Sequence, residues 1–374
     1  MSHTADAHGH DDHGHGDHDH PPFLAHHFDD PEQQFDSGKL GMWLFLVTEI
    51  LFFSGMFCAY ALYRARNPEV WTYSSQYLNA TLGAFNTGVL LFSSLSMAWG
   101  VRCAQLRQRT GLVISLAITL GCASMFLGVK AIEYTHKWDI GLLPAGAYET
   151  QSLPLAHHEG LSPWLYTLSY IPAACVVAFA IWYVLTLVSG NKGRSEIAGP
   201  LLVTALCYFV GVGIGLQFQE AEESAHAEAH STEHVGDHDA DGHAADDHDG
   251  EGHTEDDHGE AHGDADQASD AVPAGTMVST GEMSEFDVVP GAPRDTMVDQ
   301  RGGAGLFFSI YYCMTGVHAI HILAGMGVMV WLLVRATKDH FNEEYFGPVD
   351  YVGLYWHLVD LIWIYLFPLL YLIK

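Results

Sequence analysis

The sequence predicts an all-α, polytopic transmembrane helix bundle with about seven spans. Hydrophobic residues make up 49% of the 374 residues, and the mean hydropathy is +0.10 although the formal net charge is −30. The acids concentrate in two tracts, with nine in residues 1–38 and 24 in residues 219–300. The rest of the chain contains repeated apolar runs of about 20 residues, the length that crosses a ~30 Å hydrocarbon core.

Seven runs of the chain meet this length and apolarity. Glycines within several of them favour close approach of neighbouring helices and therefore a compact bundle. The predicted spans are, in chain order, 40–62, 79–101, 111–132, 163–188, 198–218, 305–334 and 352–373.

Basic residues in the short connecting loops predict the orientation of the bundle. Lys and Arg are enriched in cytoplasmic loops, and the loops after the second, fourth and sixth spans fall on one side of the membrane. We therefore expect a cytoplasmic N-terminus in a bacterial inner membrane, with the C-terminus and the second acidic tract on the outer side. The loop residues that carry this bias are Arg102, Arg107, Arg109, Lys192, Arg194, Arg335 and Lys338.

Both acidic tracts are also rich in histidine. Their Gly, Ala and Asp content, with few aromatic or β-branched residues, predicts disorder. His beside Asp at short spacing can hold zinc, nickel or copper weakly, and the alternative is a solvated acidic linker. The weak metal-ligand candidates of the second tract are His226, His230, His234 and His238.

Glu49 lies in the middle of the first predicted span, in the run GMWLFLVTEILFF. A charged side chain near a bilayer centre costs on the order of 3 kcal/mol on insertion scales, so Glu49 must face protein, water or a lipid head group. Two interpretations remain open. Glu49 is either a proton-handling or conformational site, or a neutral acid that is hydrogen-bonded to a neighbouring helix.

The last two spans carry further polar residues. His318 and His321 in GVHAIHILAG lie three residues apart, and so do His357 and Asp360 in YWHLVDLIW. Residues at this spacing share a helical face. An HxxH that faces an HxxD could chelate a metal, and the alternative is an interhelical hydrogen-bond network that sets helix register.

Five motifs in this order resemble subunit III of the haem–copper oxidases, the cytochrome c oxidase type. The resemblance covers residues 39–140 and 302–373, and Glu49 corresponds to the family's carbodiimide-reactive membrane carboxylate. Glu133 matches the family's other typical glutamate, and Lys130 can pair with it at the membrane interface. The motifs are GMWLFLVTEILFF, NTGVLLFSS, IEY, HAIH and YWHLVDLIWIYLF.

The resemblance implies a function without a redox centre or catalytic residue on this chain. Such a subunit binds oxidase subunits I and II, holds phospholipid and supports assembly, proton uptake and stable turnover of a proton-pumping terminal oxidase. Haem and copper are then expected on the partner subunits, and cytochrome c is an indirect partner. No nucleic-acid partner is expected.

The chain departs from the family pattern in three ways. It starts at the family's third helix, which leaves the usual lipid cleft incomplete unless another chain supplies the two leading helices. Ala319 replaces a common Gly in HAIH, and an inserted two-helix hairpin returns the chain to the same side of the membrane. The predicted divisions are a cytoplasmic tail (1–38), three family-like helices (39–140), the loop and hairpin (141–218), the acidic loop (219–301) and two family-like helices (302–374).

Other functions remain as alternatives. The homologous subunit of a quinol oxidase or a nitric oxide reductase would carry the same motifs, because the electron-entry site lies on other chains. A divalent-metal transporter would explain His-rich loops. Such a carrier should, however, show polar pairs on more than two helices or broken half-helices near the midplane.

Overall fold

The computed structural model describes residues 28–144, 162–236, 303–341 and 345–373. For residues 222–236 it describes the backbone only. The described residues form eight α-helices and short connections. In chain order, the helices are Pro31–Arg66 (α1), Pro68–Ser75 (α2), Ala80–Gln105 (α3), Arg109–Asp139 (α4), Pro163–Val188 (α5), Lys192–Gly236 (α6), Gly303–Thr337 (α7) and Gly347–Tyr371 (α8).

Seven of these helices are long and apolar enough to cross a membrane, which confirms the predicted all-α bundle of seven spans. α2 is the exception, a two-turn helix that the apolar runs did not indicate. Pro68 stands at its first position, where a missing backbone N–H costs nothing. The helices generally extend beyond the predicted spans, because apolar runs mark the hydrocarbon layer and not the helix ends.

Four helices form the core of the bundle: α3 packs on α4 and α8, and α7 packs on α4 and α8. α3 and α8 are antiparallel and are joined by side-chain hydrogen bonds. The indole of Trp356 donates to Ser93 Oγ at 2.9 Å, and that of Trp363 donates to Thr87 Oγ1 at 3.0 Å. α1 lies outside this core, against α7 and α8.

α6 of the predicted hairpin packs tightly on α4. A Cβ on Gly128 would overlap the Tyr208 carbonyl oxygen, and a Cβ on Gly211 would overlap the Met125 carbonyl oxygen. Glycine is therefore required at both positions, because the two backbones approach closely there. α5, the other helix of the hairpin, also contacts α4.

The helical ends differ from the boundaries predicted for the two acidic tracts. α1 begins at Pro31, inside the predicted 1–38 tail, and α6 continues to Gly236, well past residue 218. The extension of α6 follows from its AEESAHAEAH stretch, since Ala and Glu are strong helix formers. The side chains of the four candidate metal ligands of the second tract lie outside the described residues.

Candidate functional site: two glutamates between the helices

Glu49 and His321 form a hydrogen-bonded pair between α1 and α7. His321 Nε2 lies 2.9 Å from Glu49 Oε2, and His321 Nδ1 lies 2.8 Å from the Val317 carbonyl oxygen one turn earlier. The Phe53 ring packs edge-on against the imidazole, and the Tyr355 hydroxyl donates to the His321 carbonyl oxygen. Both side chains of the pair are 19% exposed, so the pair lies at the outer edge of the bundle.

The hydrogen bonds of this pair determine how many protons it holds. A carbonyl oxygen only accepts, so His321 Nδ1 must donate to Val317. His321 Nε2 then either accepts a proton from neutral Glu49 or donates one to the Glu49 carboxylate. In both arrangements one proton lies between the two side chains and the net charge of the pair is zero, which lowers the cost of its burial.

A second polar cluster is buried between α4, α7 and α8. Glu133 accepts hydrogen bonds from Lys130 at 2.8 Å and from Lys137 at 3.1 Å, one turn to either side of it. The hydroxyls of Tyr311 and Tyr371 donate to Glu133 Oε1 at 2.7 and 2.5 Å. We call these five residues the Glu133 cluster. Its three charged side chains are no more than 5% exposed.

Aromatic rings also stabilise the charge of the buried Lys130 amine. Lys130 Nζ lies 4.9 Å from the centre of the Trp363 ring and 5.4 Å from that of Tyr134. A cation over an aromatic face is stabilised by about 2 kcal/mol when both are desolvated. Lys130 pairs with Glu133 as expected, and both side chains are buried among neighbouring aromatic residues.

Sequence reasoning missed three members of the Glu133 cluster, namely Lys137, Tyr311 and Tyr371. Lys137 could have been found, because residues four apart face each other on a helix. The two tyrosines could not, since they lie 178 and 238 residues from Glu133 along the chain and only helix packing brings them near.

His318 and His321, which share a helical face in the sequence, lie in different surroundings. His321 reaches Glu49, whereas His318 is fully buried and stacks on the Trp363 ring with centroids 5.4 Å apart. In the described part of the chain, neither ring nitrogen of His318 has a hydrogen-bond partner.

His357 and Asp360 lie on the α3 side of α8. His357 Nδ1 is 2.6 Å from Ser94 Oγ. The Asp360 carboxylate is 2% exposed and lies near the Ser94 hydroxyl without the geometry of a hydrogen bond. Within the described ranges, no three His, Cys, Asp or Glu side chains approach closely enough to hold a metal ion.

A comparison with family models covers the five motifs and the helices that carry Glu49 and Glu133. The family model described as cytochrome c oxidase subunit III matches residues 26–140 and 302–374. The chain belongs to the cytochrome c oxidase subunit III family. The match passes over residues 141–301, so the subunit III part of this multi-pass membrane protein comprises α1 to α4, α7 and α8.

Curated relatives share shorter segments with this subunit III family member. The chain is 36% identical over 66 residues to the probable cytochrome c oxidase subunit 3 of Mycobacterium leprae, which is 18% of this chain and 33% of that protein. It is 36% identical over 69 residues to cytochrome c oxidase subunit 3 of Thermostichus vulcanus, 18% of this chain and 34% of the relative. A third match, 35% over 71 residues, is to heme-copper oxidase subunit I+III of Aeropyrum pernix, 19% of this chain and 9% of that protein. The matches therefore span about a third or less of each relative.

Proposed function

We propose that this subunit III family member is a non-redox accessory subunit of a proton-pumping cytochrome c oxidase. It binds subunits I and II and supports assembly, proton uptake and stable turnover, while haem and copper stay on the partner chains. The observation that carries the proposal is the Glu49–His321 pair, which holds one proton among apolar helices at the family's carboxylate position. The Aeropyrum pernix protein is named subunit I+III, and this joint name supports subunit I as the partner.

The two glutamates have different roles in this proposal. The Glu49–His321 pair lies at the edge of the bundle, where a proton can exchange with a partner subunit or a phospholipid head group. Glu133 is enclosed by its cluster and positions α4, α7 and α8 relative to one another. The same logic assigns His318, His357 and Asp360 to helix positioning in the core.

The orientation proposed from the basic loops has its own test. The acidic segment between α6 and α7 should be cut when protease is added to intact spheroplasts, because that segment then lies on the outer side. An antibody to a C-terminal epitope would detect the resulting fragment. Cleavage in inverted vesicles alone would place the N-terminus outside and overturn this orientation.

The deciding experiment is a reduced-minus-oxidised visible spectrum of the material that co-purifies with this chain in mild detergent. A C-terminal epitope should be used for capture, because the natural His tracts would bind nickel resin. Haem bands in fixed ratio to the chain, with oxygen consumption driven by cytochrome c, are expected. Activity with quinol or nitric oxide instead would assign the chain to those oxidase or reductase complexes. Zinc without haem would favour the transporter.

A further inference from the structure

An apolar groove runs between α4 and α6, on the face that the inserted hairpin adds to the family helices. Its cavity volume is about 520 Å³, within the ~300–1,000 Å³ typical of ligand sites. Small residues form its floor and exposed aliphatic side chains form its edges. These residues are Ala117, Gly121 and Gly199 on the floor and Ile114, Ile118 and Val203 at the edges.

The length of the groove matches one membrane leaflet. Ile114 and Met125 mark its ends on α4, and the eleven residue steps from one to the other rise about 16 Å. One leaflet contributes half of a ~30 Å hydrocarbon core. A second cavity of about 360 Å³ shares Cys122 and Met125 with the groove and continues along α3 beside Phe92. The space therefore suits an extended hydrocarbon chain.

Basic residues lie at the end of the groove where α4 and α6 begin. Lys192 and Arg194 are in the first turn of α6, and both are exposed. Arg109 is bound to Glu196 of α6, and this pair joins the two helices at the same end. The local balance is positive, which complements an anionic group at the membrane surface.

We propose that this groove binds an acyl chain of an anionic phospholipid whose phosphate lies beside Lys192 and Arg194. The lining is apolar, and a polar occupant would lose its hydrogen bonds to water without replacement. One wall belongs to α6, which the subunit III match does not cover. The site therefore depends on the insertion and is not a property of the family helices alone.

Photo-crosslinking can test the site in the intact protein. The purified protein, with whatever subunits accompany it, is placed in nanodiscs that contain phosphatidylglycerol with a diazirine near the acyl-chain end, and adducts are mapped by mass spectrometry. Val203 in the groove is 54% exposed and Val184 on α5 is 56% exposed, so unbound lipid should label both equally. Specific binding should raise labelling of Val203, with Met125 and Cys122, about fivefold over Val184.

Substitutions that fill the groove with a larger side chain provide a second test. Val203→Phe and Ala117→Phe should each abolish the groove adducts, whereas Ile181→Phe on α5 should leave them unchanged. Val203 lies at an exposed edge, so its variant tests the site even if the larger residue at Ala117 prevents folding. The double substitution Lys192→Ala and Arg194→Ala should remove the preference for phosphatidylglycerol.

Three results would overturn the proposal. Equal labelling of Val203 and Val184 would show surrounding bulk lipid only. Equal yield from the phosphatidylcholine analogue would exclude a role for the basic rim. Displacement of the adducts by a quinone with an isoprenoid tail, but not by excess phosphatidylglycerol, would identify a different ligand.

Discussion

Glu49 and Glu133 show two ways to bury a carboxyl group between membrane helices. Glu49 shares a single proton with His321 and forms a neutral pair at the bundle edge. Glu133 is enclosed with two amines and two phenol hydroxyls that donate to it. The shared proton agrees with the proton exchange that we propose for Glu49, whereas a carboxylate that accepts four hydrogen bonds suits the fixed structural role that we propose for Glu133.

Glu49→Gln should impair oxygen consumption several-fold while the complex still assembles, because the amide cannot exchange the shared proton. The coupling with His321 can be measured by thermal unfolding of Glu49→Gln, His321→Gln and the double variant. We expect a coupling free energy of about 1–3 kcal/mol, typical of a charge-assisted hydrogen bond. Additive effects of the two substitutions would show that the pair does not act as a unit.

Glu133→Gln should destabilise the protein strongly, by about 3–5 kcal/mol, because two buried amines lose their counter-charge. Adding Lys130→Met should recover part of that loss by removing one of the uncompensated amines. Unfolding temperature in detergent and the yield of folded protein measure both effects.

The matched control for Glu133 is Glu196→Gln, which breaks the exposed pair with Arg109. An exposed ion pair contributes at most about 1 kcal/mol, so this variant should unfold close to the parent protein. Equal losses from both substitutions would contradict a special role for the Glu133 cluster.

At the scale of helices, the inserted hairpin depends on glycines that allow α6 to approach α4. Gly211 and Gly215 are four residues apart on one face of α6, and a Cβ on Gly215 would lie 3.1 Å from Ile132. Packing between close backbones is a main source of helix association in lipid, where hydrophobic burial contributes little. Close packing of the two backbones, rather than hydrophobic burial, therefore holds the hairpin against α4.

Gly211→Ala should weaken the attachment of the hairpin, because the added Cβ would overlap the Met125 carbonyl oxygen on α4. Overpacking of this kind costs about 1–3 kcal/mol. Gly213→Ala is the matched control, since a Cβ at Gly213 meets nothing within 4 Å. Thermal unfolding and protease resistance of the hairpin should separate the two variants, and identical behaviour would argue against the close α4–α6 contact.

At the scale of the whole molecule, the family helices contain the Glu49–His321 pair, and the insertion contributes one wall of the lipid groove. The Glu49–His321 pair joins α1 to α7, both within the subunit III match. The glycine contacts of the insertion are with α4, and Phe218 of α6 also packs on Phe85 of α3. We expect the oxidase-related function to depend on the first group and the added lipid site on the second.

Deletion of residues 224–270 should leave assembly and turnover unchanged when copper is ample, because the subunit III match passes over this segment. The hypothesis of metal capture by the His-rich tract is tested at limiting copper. A fall in the copper content of the purified oxidase would support capture, whereas unchanged copper would rule it out and favour a solvated linker.

The sequence alone determined the seven spans and the presence of a carboxyl group, Glu49, within the first of them, because apolarity is a local property of the chain. The tertiary structure decided the partners of these groups. His321 meets Glu49 across 272 residues, Tyr371 closes the Glu133 cluster, and His318 packs on the Trp363 ring. Such contacts follow from the angles and register at which helices pack, and these depend on every neighbouring side chain at once.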